Sequence, residues 1–265
     1  STGWFGLSTA EFLMPVTIIY ALTIMDWRNI WIIISVAVIL FLPLISYFLV
    51  KEVKLSSRED DNEVIKENIK QWKRSEVIKD YRFIIIALNM LAMPWIATGI
   101  FVYQSFILSA KNWGEYTIAQ SFMVYSIASV LTLFVAGYLI DKFSSRKLLI
   151  YMNIPFLISL LILIYFQSPV SSFFFLGLIG VSNGFANVLG SSTWAELYGV
   201  KFIGSIKALT TALMVFSTAF GTAFFGLMID FNFSIEQISM ISGGYILISL
   251  ILLFLIKNKL NPTIL

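Results

Sequence analysis

Apolar residues in this chain come in long blocks separated by polar breaks, and several blocks reach the ~20 residues a helix needs to cross ~30 Å of hydrocarbon. Ile30 to Val50, Phe83 to Leu108 and Leu148 to Phe166 are three of them. Breaks fall at Asp26-Trp27-Arg28-Asn29, 51–82, Ala110 to Glu115, Asp141 to Arg146, Gln167 to Pro169, Tyr198 to Lys201 and Asp230 to Glu236. The pattern predicts membrane helices over about 4–25, 30–50, 83–108, 116–140, 147–167, 170–196, 202–229 and 238–257. That makes about eight crossings, mostly joined by short turns, so neighbours run antiparallel. The expected fold class is all-α and integral to a membrane.

Composition strengthens this. The chain is 58% hydrophobic and 12% charged, with a mean hydropathy of +0.88, whereas a soluble domain carries about 25% charged residues. Cysteine and histidine are absent, which removes disulfide scaffolds, Cys/His zinc sites, Ser/His/Asp triads and histidine proton relays. No metal or cofactor is expected. The aqueous stretch has no G-x-x-x-x-G-K-S/T loop to hold a nucleotide, and the intramembrane acids are too few to assemble an enzyme's catalytic set.

Charge placement orients the chain. Alternating the loops across the bilayer puts 51–82, the 141–147 turn, the 198–207 turn and the C-terminal tail on one side, and these hold 16 of the 18 Lys and Arg residues. Arg28 and Lys111 lie opposite. Positive residues mark the cytoplasmic side, so both ends are expected in the cytoplasm of a multi-pass cell (inner or plasma) membrane protein. The net charge of +3 and the pI near 9.0 then need no nucleic-acid partner; the partner is the lipid bilayer. The chain opens on Ser1 almost directly at a helix, with no basic n-region and with Glu11 inside the first apolar run. That is the pattern of a partial or processed chain rather than of a signal peptide.

The stretch 51–82 carries nine basic and eight acidic residues and reads as an aqueous linker. Val64, Ile65, Ile69, Trp72, Val77 and Ile78 recur at roughly helical spacing, so part of it can lie as an amphipathic helix on the cytoplasmic face. The alternative is a solvated mixed-charge connector.

Between two helices on that face stands Gly137-Tyr138-Leu139-Ile140-Asp141-Lys142-Phe143-Ser144-Ser145-Arg146-Lys147. It resembles the G-x-L-x-D-R/K-x-G-R-R-K signature of the major facilitator superfamily, strong after that family's second helix and weaker after its eighth. Gly6 to Pro15 followed by Asp26-Trp27-Arg28 resembles the family's fifth helix and outer turn. Trp194-Ala195-Glu196-Leu197-Tyr198-Gly199 with Gly204-Ser205-Ile206-Lys207-Ala208 resembles the tenth-to-eleventh connection of bacterial members. Two departures stand out: Ser144 replaces the usual Gly and Ser145 a frequent Arg, which puts the tight turn and one ion pair in question.

The resemblance implies an incomplete twelve-helix bundle, helices five to twelve, with four upstream helices of the same protein missing. Residues 1–50 would end the N-terminal six-helix half, 51–82 would be the cytoplasmic linker, and 83–265 would be the C-terminal six-helix bundle and tail. It also implies that Gly137, Asp141, Lys142, Arg146, Lys147 and Glu196 form a cytoplasmic gate. There Asp141 would approach the N-terminus of the first helix, and Arg146 would pair with Glu196.

An ionisable side chain inside a bilayer is costly and is a functional hypothesis by default. Glu11 is the clear case here, one turn before Pro15. Desolvation favours the neutral form of a carboxylic acid, which suits Glu11 to exchange a proton; bonding to a neighbouring helix is the structural alternative. Gly180, Asn183, Gly184, Asn187, Ser191 and Trp194 share one helix face, fit either for close packing or for lining a cavity. Asn89, Thr98, Tyr103 and Gln104 offer hydrogen bonds on the helix that Pro94 can bend, and Tyr103-Gln104 is the preferred substrate-contact pair. The function expected is a secondary active transporter of a small solute, working by alternating access with proton coupling through Glu11. The competing readings are a transport-incompetent fragment and a membrane scaffold or enzyme.

Overall fold

The computed structural model describes residues 2–52 and 70–263, and within them all side chains but those of 2–8, 46, 48–52 and 191. Twelve α-helical segments follow in order: α1 (Thr2–Leu22), α2 (Trp27–Glu52), α3 (Arg74–Val77), α4 (Tyr81–Ala92), α5 (Thr98–Val102), α6 (Gln104–Lys111), α7 (Glu115–Phe143), α8 (Ser145–Met152), α9 (Ile154–Tyr165), α10 (Ser171–Tyr198), α11 (Ile203–Asp230) and α12 (Ile235–Ile256). No strand occurs among the described residues.

Seven spans among the described residues are long and apolar enough to cross a membrane, and α1 carries a further apolar stretch, Thr9–Leu22. Their outward surfaces confirm the solvent. Ile39, Leu40, Phe41 and Leu42 on α2 are each more than 60% exposed, as are Val215 and Phe216 on α11. An apolar surface this continuous is stable against lipid, not water.

Two of the predicted crossings are interrupted, each at a proline. Pro94 has no amide hydrogen to return to the turn before it, and the chain widens there into a π-helical turn, Met93–Ala97, between α4 and α5. Two carbonyls near this turn also accept from side chains: Tyr245 Oη donates to Leu88 O at 2.7 Å and Ser217 Oγ to Leu91 O at 3.2 Å. A second interruption at Tyr103 separates α5 from α6. In the 147–167 crossing, helix stops at Met152 and restarts at Ile154, with Pro155 in the first turn of α9.

α7 and α10 pack along their lengths, α10 also against α9, and α12 against α9 and α4. α11 lies on the broken helix, while α1 docks on α7 and carries α2 with it. Glycine explains the closeness of α7 and α10: a Cβ on Gly184 would lie 2.6 Å from Ser129 O, and one on Gly180 would strike Tyr125 O. Small residues at such crossings let backbones approach where no hydrophobic effect drives them together.

One end of the bundle gathers the α7–α8 turn, the α10–α11 turn, residues 70–82 and the tail beyond α12, and is called the basic face below. Within 70–82, Val77 is fully buried and Ile78 is exposed, while Trp72 packs edge-on to Tyr198. The remainder of the expected amphipathic helix, including Val64, Ile65 and Ile69, lies outside the described residues.

Candidate functional site: a central cavity and the clasp at the basic face

A cavity of about 560 Å³ opens among α4, the π turn, α5, α7, α10 and α11. Its lining comes from Ala87 to Phe101, from Asn183 to Trp194, and from Lys207 to Met214, with Tyr125 and Met152 between. Since α11 begins at the basic face and α10 ends there, the cavity occupies the half of the bundle nearest that face. The π turn forms part of its wall, contributing Met93, Pro94 and Ala97 to the lining.

The walls are mostly apolar, with Met90, Met93, Met152 and Met214 among them. The polar groups are few. Asn183 donates through Nδ2 to Ser129 Oγ at 3.0 Å, and Thr210 Oγ1 donates to Lys207 O at 3.0 Å. The Asn187 carboxamide and the Tyr125 hydroxyl line the cavity and have no hydrogen-bond partner among the described residues. Lys207, exposed at the cavity's edge, is the one charged side chain among the described lining and has no ion-pair partner among the described residues.

Glu11 sits beside this cavity rather than in its lining. It is half-buried on the side of α1 that docks on α7, close enough to Tyr125 for carboxylate and phenol to interact electrostatically. It has no hydrogen-bond or ion-pair partner among the described residues.

The other candidates divide. Asn183 and Asn187 line the cavity. Asn89 does not: it is fully buried and its carboxamide is used inside the bundle. Its Nδ2 donates to Leu149 O at 3.4 Å, and its Oδ1 accepts from Asn153 Nδ2 at 3.1 Å and Ser249 Oγ at 3.3 Å. This amide cluster bridges the interruption at Asn153. Tyr103 turns its hydroxyl against Gly226 of α11, and Gln104 is exposed beside a small crevice with Ile100 and Phe122. Both stand beyond the cavity, whose lining on this crossing ends at Phe101.

At the basic face, Glu196 near the end of α10 is the hub. Its Oε1 accepts from Arg146 Nε at 2.5 Å and from Ser144 Oγ. Its Oε2 accepts from Ser145 N at 3.0 Å and Ser145 Oγ at 2.5 Å. The carboxylate thus caps the start of α8, where the helix dipole favours an anion. Ser144 has φ +80 and ψ 142, a conformation that glycine adopts freely and other residues at a cost. Its hydroxyl on Glu196 offsets that cost, and Ser145 supplies donors to the same carboxylate. The turn therefore closes without the family's Gly and second Arg.

Arg146 continues inward to the tail, donating from Nη1 to Leu260 O and Asn261 Oδ1, each at 2.8 Å. A second arginine reaches the same tail: Arg82 pairs with Asp80 at 2.8 Å and donates to Asn261 O at 2.8 Å. Tyr198 Oη donates to Asp80 Oδ2 at 3.2 Å, and Trp72 N donates to Tyr198 O at 3.0 Å. Residues 70–82, the two turns and the tail are thereby tied into one clasp.

Gly137 lies within α7, and a Cβ there would meet nothing within 4 Å. Asp141, Lys142 and Lys147 are exposed, and none forms a hydrogen bond or ion pair among the described residues. The expected approach of Asp141 to the start of α1 falls on residues 1–8, whose side chains lie outside those described.

The sequence reading did not single out Tyr125, Lys207 or Asp80. A tyrosine ten residues into an apolar span, far from either interface, is a signal that was present for the first. Lys207 enters the sequence pattern through its charge and through the Gly204-Ser205-Ile206-Lys207-Ala208 run, not as a cavity residue. Lys111 was likewise only an exception to the charge rule, yet its side chain is fully buried against Glu236, with Nζ 2.7 Å from Oε1. No arrangement of fewer than several helices could have revealed that pair.

A bundle of membrane helices with a solute-sized, open-sided cavity and bent helices along its wall fits the class of membrane transport proteins. Two overlapping stretches, residues 4–222 and 84–264, match the model of the Major Facilitator Superfamily, and the chain belongs to that family. Its members are transporters rather than enzymes. No curated protein matches the chain, and no solved structure does.

Proposed function

We propose that the chain moves a small solute through the central cavity by alternating access, with proton exchange at Glu11 coupled to solute binding. The observation that carries this reading is the pairing of a roomy, mostly apolar cavity with the unpartnered Tyr125 and Asn187 groups on its wall and Glu11 close enough to Tyr125 to interact with it electrostatically. Buried polar groups normally find partners within the protein; those left open toward a cavity are free to take a ligand. A carboxyl one helix away, partly withdrawn from solvent, can respond to what Tyr125 binds.

In this reading the basic face is cytoplasmic in the plasma membrane, both ends of the chain lie there, and residues 83–265 form one half of the transport machinery. The Arg146–Glu196 pair and the clasp around it act as a cytoplasmic gate that loosens when the cavity opens inward. Asn183 and Asn187 are the substrate contacts on α10.

The test uses proteoliposomes enclosing a pH-sensitive dye, with an imposed pH gradient and a panel of anionic, neutral and cationic metabolites. A solute that the protein carries with protons dissipates the gradient faster than empty liposomes allow. Glu11→Gln should abolish that proton movement. Proton movement undiminished in the variant would remove Glu11 from coupling, and no acceleration by any solute would count against proton-coupled transport. For the gate, Arg146→Cys with Glu196→Cys should crosslink with a short bifunctional reagent in the absence of solute and less in its presence. An unchanged yield would make the pair a fixed structural contact.

A further inference from the structure

We infer that the cavity takes an amphipathic organic anion, its apolar body lying among the methionines and its carboxylate, sulfonate or phosphate turned toward Lys207. This rests on the reading of the cavity as the transport site and names what that site selects.

The strongest observation is the position of Lys207, the one charged side chain in the described lining of the cavity. Arg82 is paired with Asp80, Arg146 with Glu196 and the buried Lys111 with Glu236, at 2.8, 2.5 and 2.7 Å. Lys207 has no such partner among the described residues, and it borders the same open-sided cavity as Tyr125 and Asn187. No acidic residue is among the described lining. A single cation beside a low-dielectric space raises the local concentration of anions and disfavours cations.

Shape and polarity narrow the class further. A volume of about 560 Å³ falls within the range of pockets for drug-sized ligands, roughly 300–1,000 Å³. Met90, Met93, Met152 and Met214 make a polarizable wall that can adapt to different bodies. A sugar or other polyol would leave many hydroxyls facing that wall without partners, at a desolvation cost for each. A wholly apolar guest would leave the Asn187 and Tyr125 groups desolvated and unpaired. An amphipathic anion satisfies both sets of groups.

The experiment is calorimetric titration of the full chain in detergent with two probes sharing one apolar body, 2-naphthalenesulfonate and trimethyl(2-naphthyl)ammonium. The sulfonate should bind at least about tenfold tighter, the scale of one charge-assisted contact. Lys207→Gln should weaken sulfonate binding about tenfold and remove most of the preference, whereas Lys207→Arg should keep it. Lys201→Gln, a change of an exposed lysine outside the lining, should leave both affinities unaltered. Absence of sulfonate binding, equal affinity for the two probes, or full affinity in Lys207→Gln would each overturn the assignment. The transport reading would survive such a result, because it stands on solute-driven proton movement and not on the charge of the guest.

Discussion

The clasp at the basic face and the cavity behind it are built from the same kinds of residue and treat them in opposite ways. At the clasp, Glu196 accepts from three side chains and one backbone amide, and Arg82 and Arg146 both reach the tail. In the cavity, the Asn187 amide, the Tyr125 hydroxyl and the Lys207 ammonium have no partner among the described residues. The difference separates polar groups that hold the bundle together from those left open to something else. Mutations should therefore sort by stability: those in the clasp should lower it, whereas those in the cavity should leave it nearly unchanged while altering binding and transport.

The largest stability effect is expected from Glu196→Ala, which strands Arg146, both serines and the first amide of α8 at once. Removing one partner of a half-buried charged network costs about 2–3 kcal/mol, to be read as a lowered unfolding temperature in detergent. A loss near zero would mean that the clasp is solvated in place and the comparison is wrong. Next is Gly184→Ala on the α7–α10 seam, where the new methyl meets Ser129 O at 2.6 Å and Thr132 Cβ at 2.7 Å. Because one of these is backbone, the helices must separate, at about 1–3 kcal/mol by the same measurement.

Ser144→Gly balances two terms of similar size. It relieves the positive-φ conformation, about 1–3 kcal/mol, and loses a hydrogen bond to a carboxylate, about 1.5–3 kcal/mol, so stability should change by less than about 1 kcal/mol. A large gain would show that the serine hydroxyl contributes little at Glu196. The smallest stability change belongs to Asn187→Leu, since no protein hydrogen bond is lost: stability should hold within about 1 kcal/mol while solute-driven transport falls several-fold. Equal losses of both would place Asn187 with the structural groups.

How far the sequence could see depended on the range of the interaction. Helix positions were legible because a membrane span is a local property of about 20 residues. The interruptions were half legible: Pro94 announced a bend, but not the bonds that Tyr245 and Ser217 bring from other helices to Leu88 O and Leu91 O beside it. Asn89 and Asn187 looked alike in the sequence, each an amide in an apolar helix. Only packing sends one into a cluster with Asn153 and leaves the other facing open space.

By itself, then, the sequence determined the solvent, the helices, the family resemblance and the gathering of basic residues at one face, all of which follow from composition and short-range pattern. The tertiary structure decided which polar groups are satisfied and which are not. Hydrogen-bond satisfaction is a property of neighbours brought together from distant parts of the chain, as when Arg146, Glu196 and Asn261 meet. No local pattern encodes that meeting, and in this protein it is what distinguishes a lysine locked against Glu236 from a lysine left open beside a cavity.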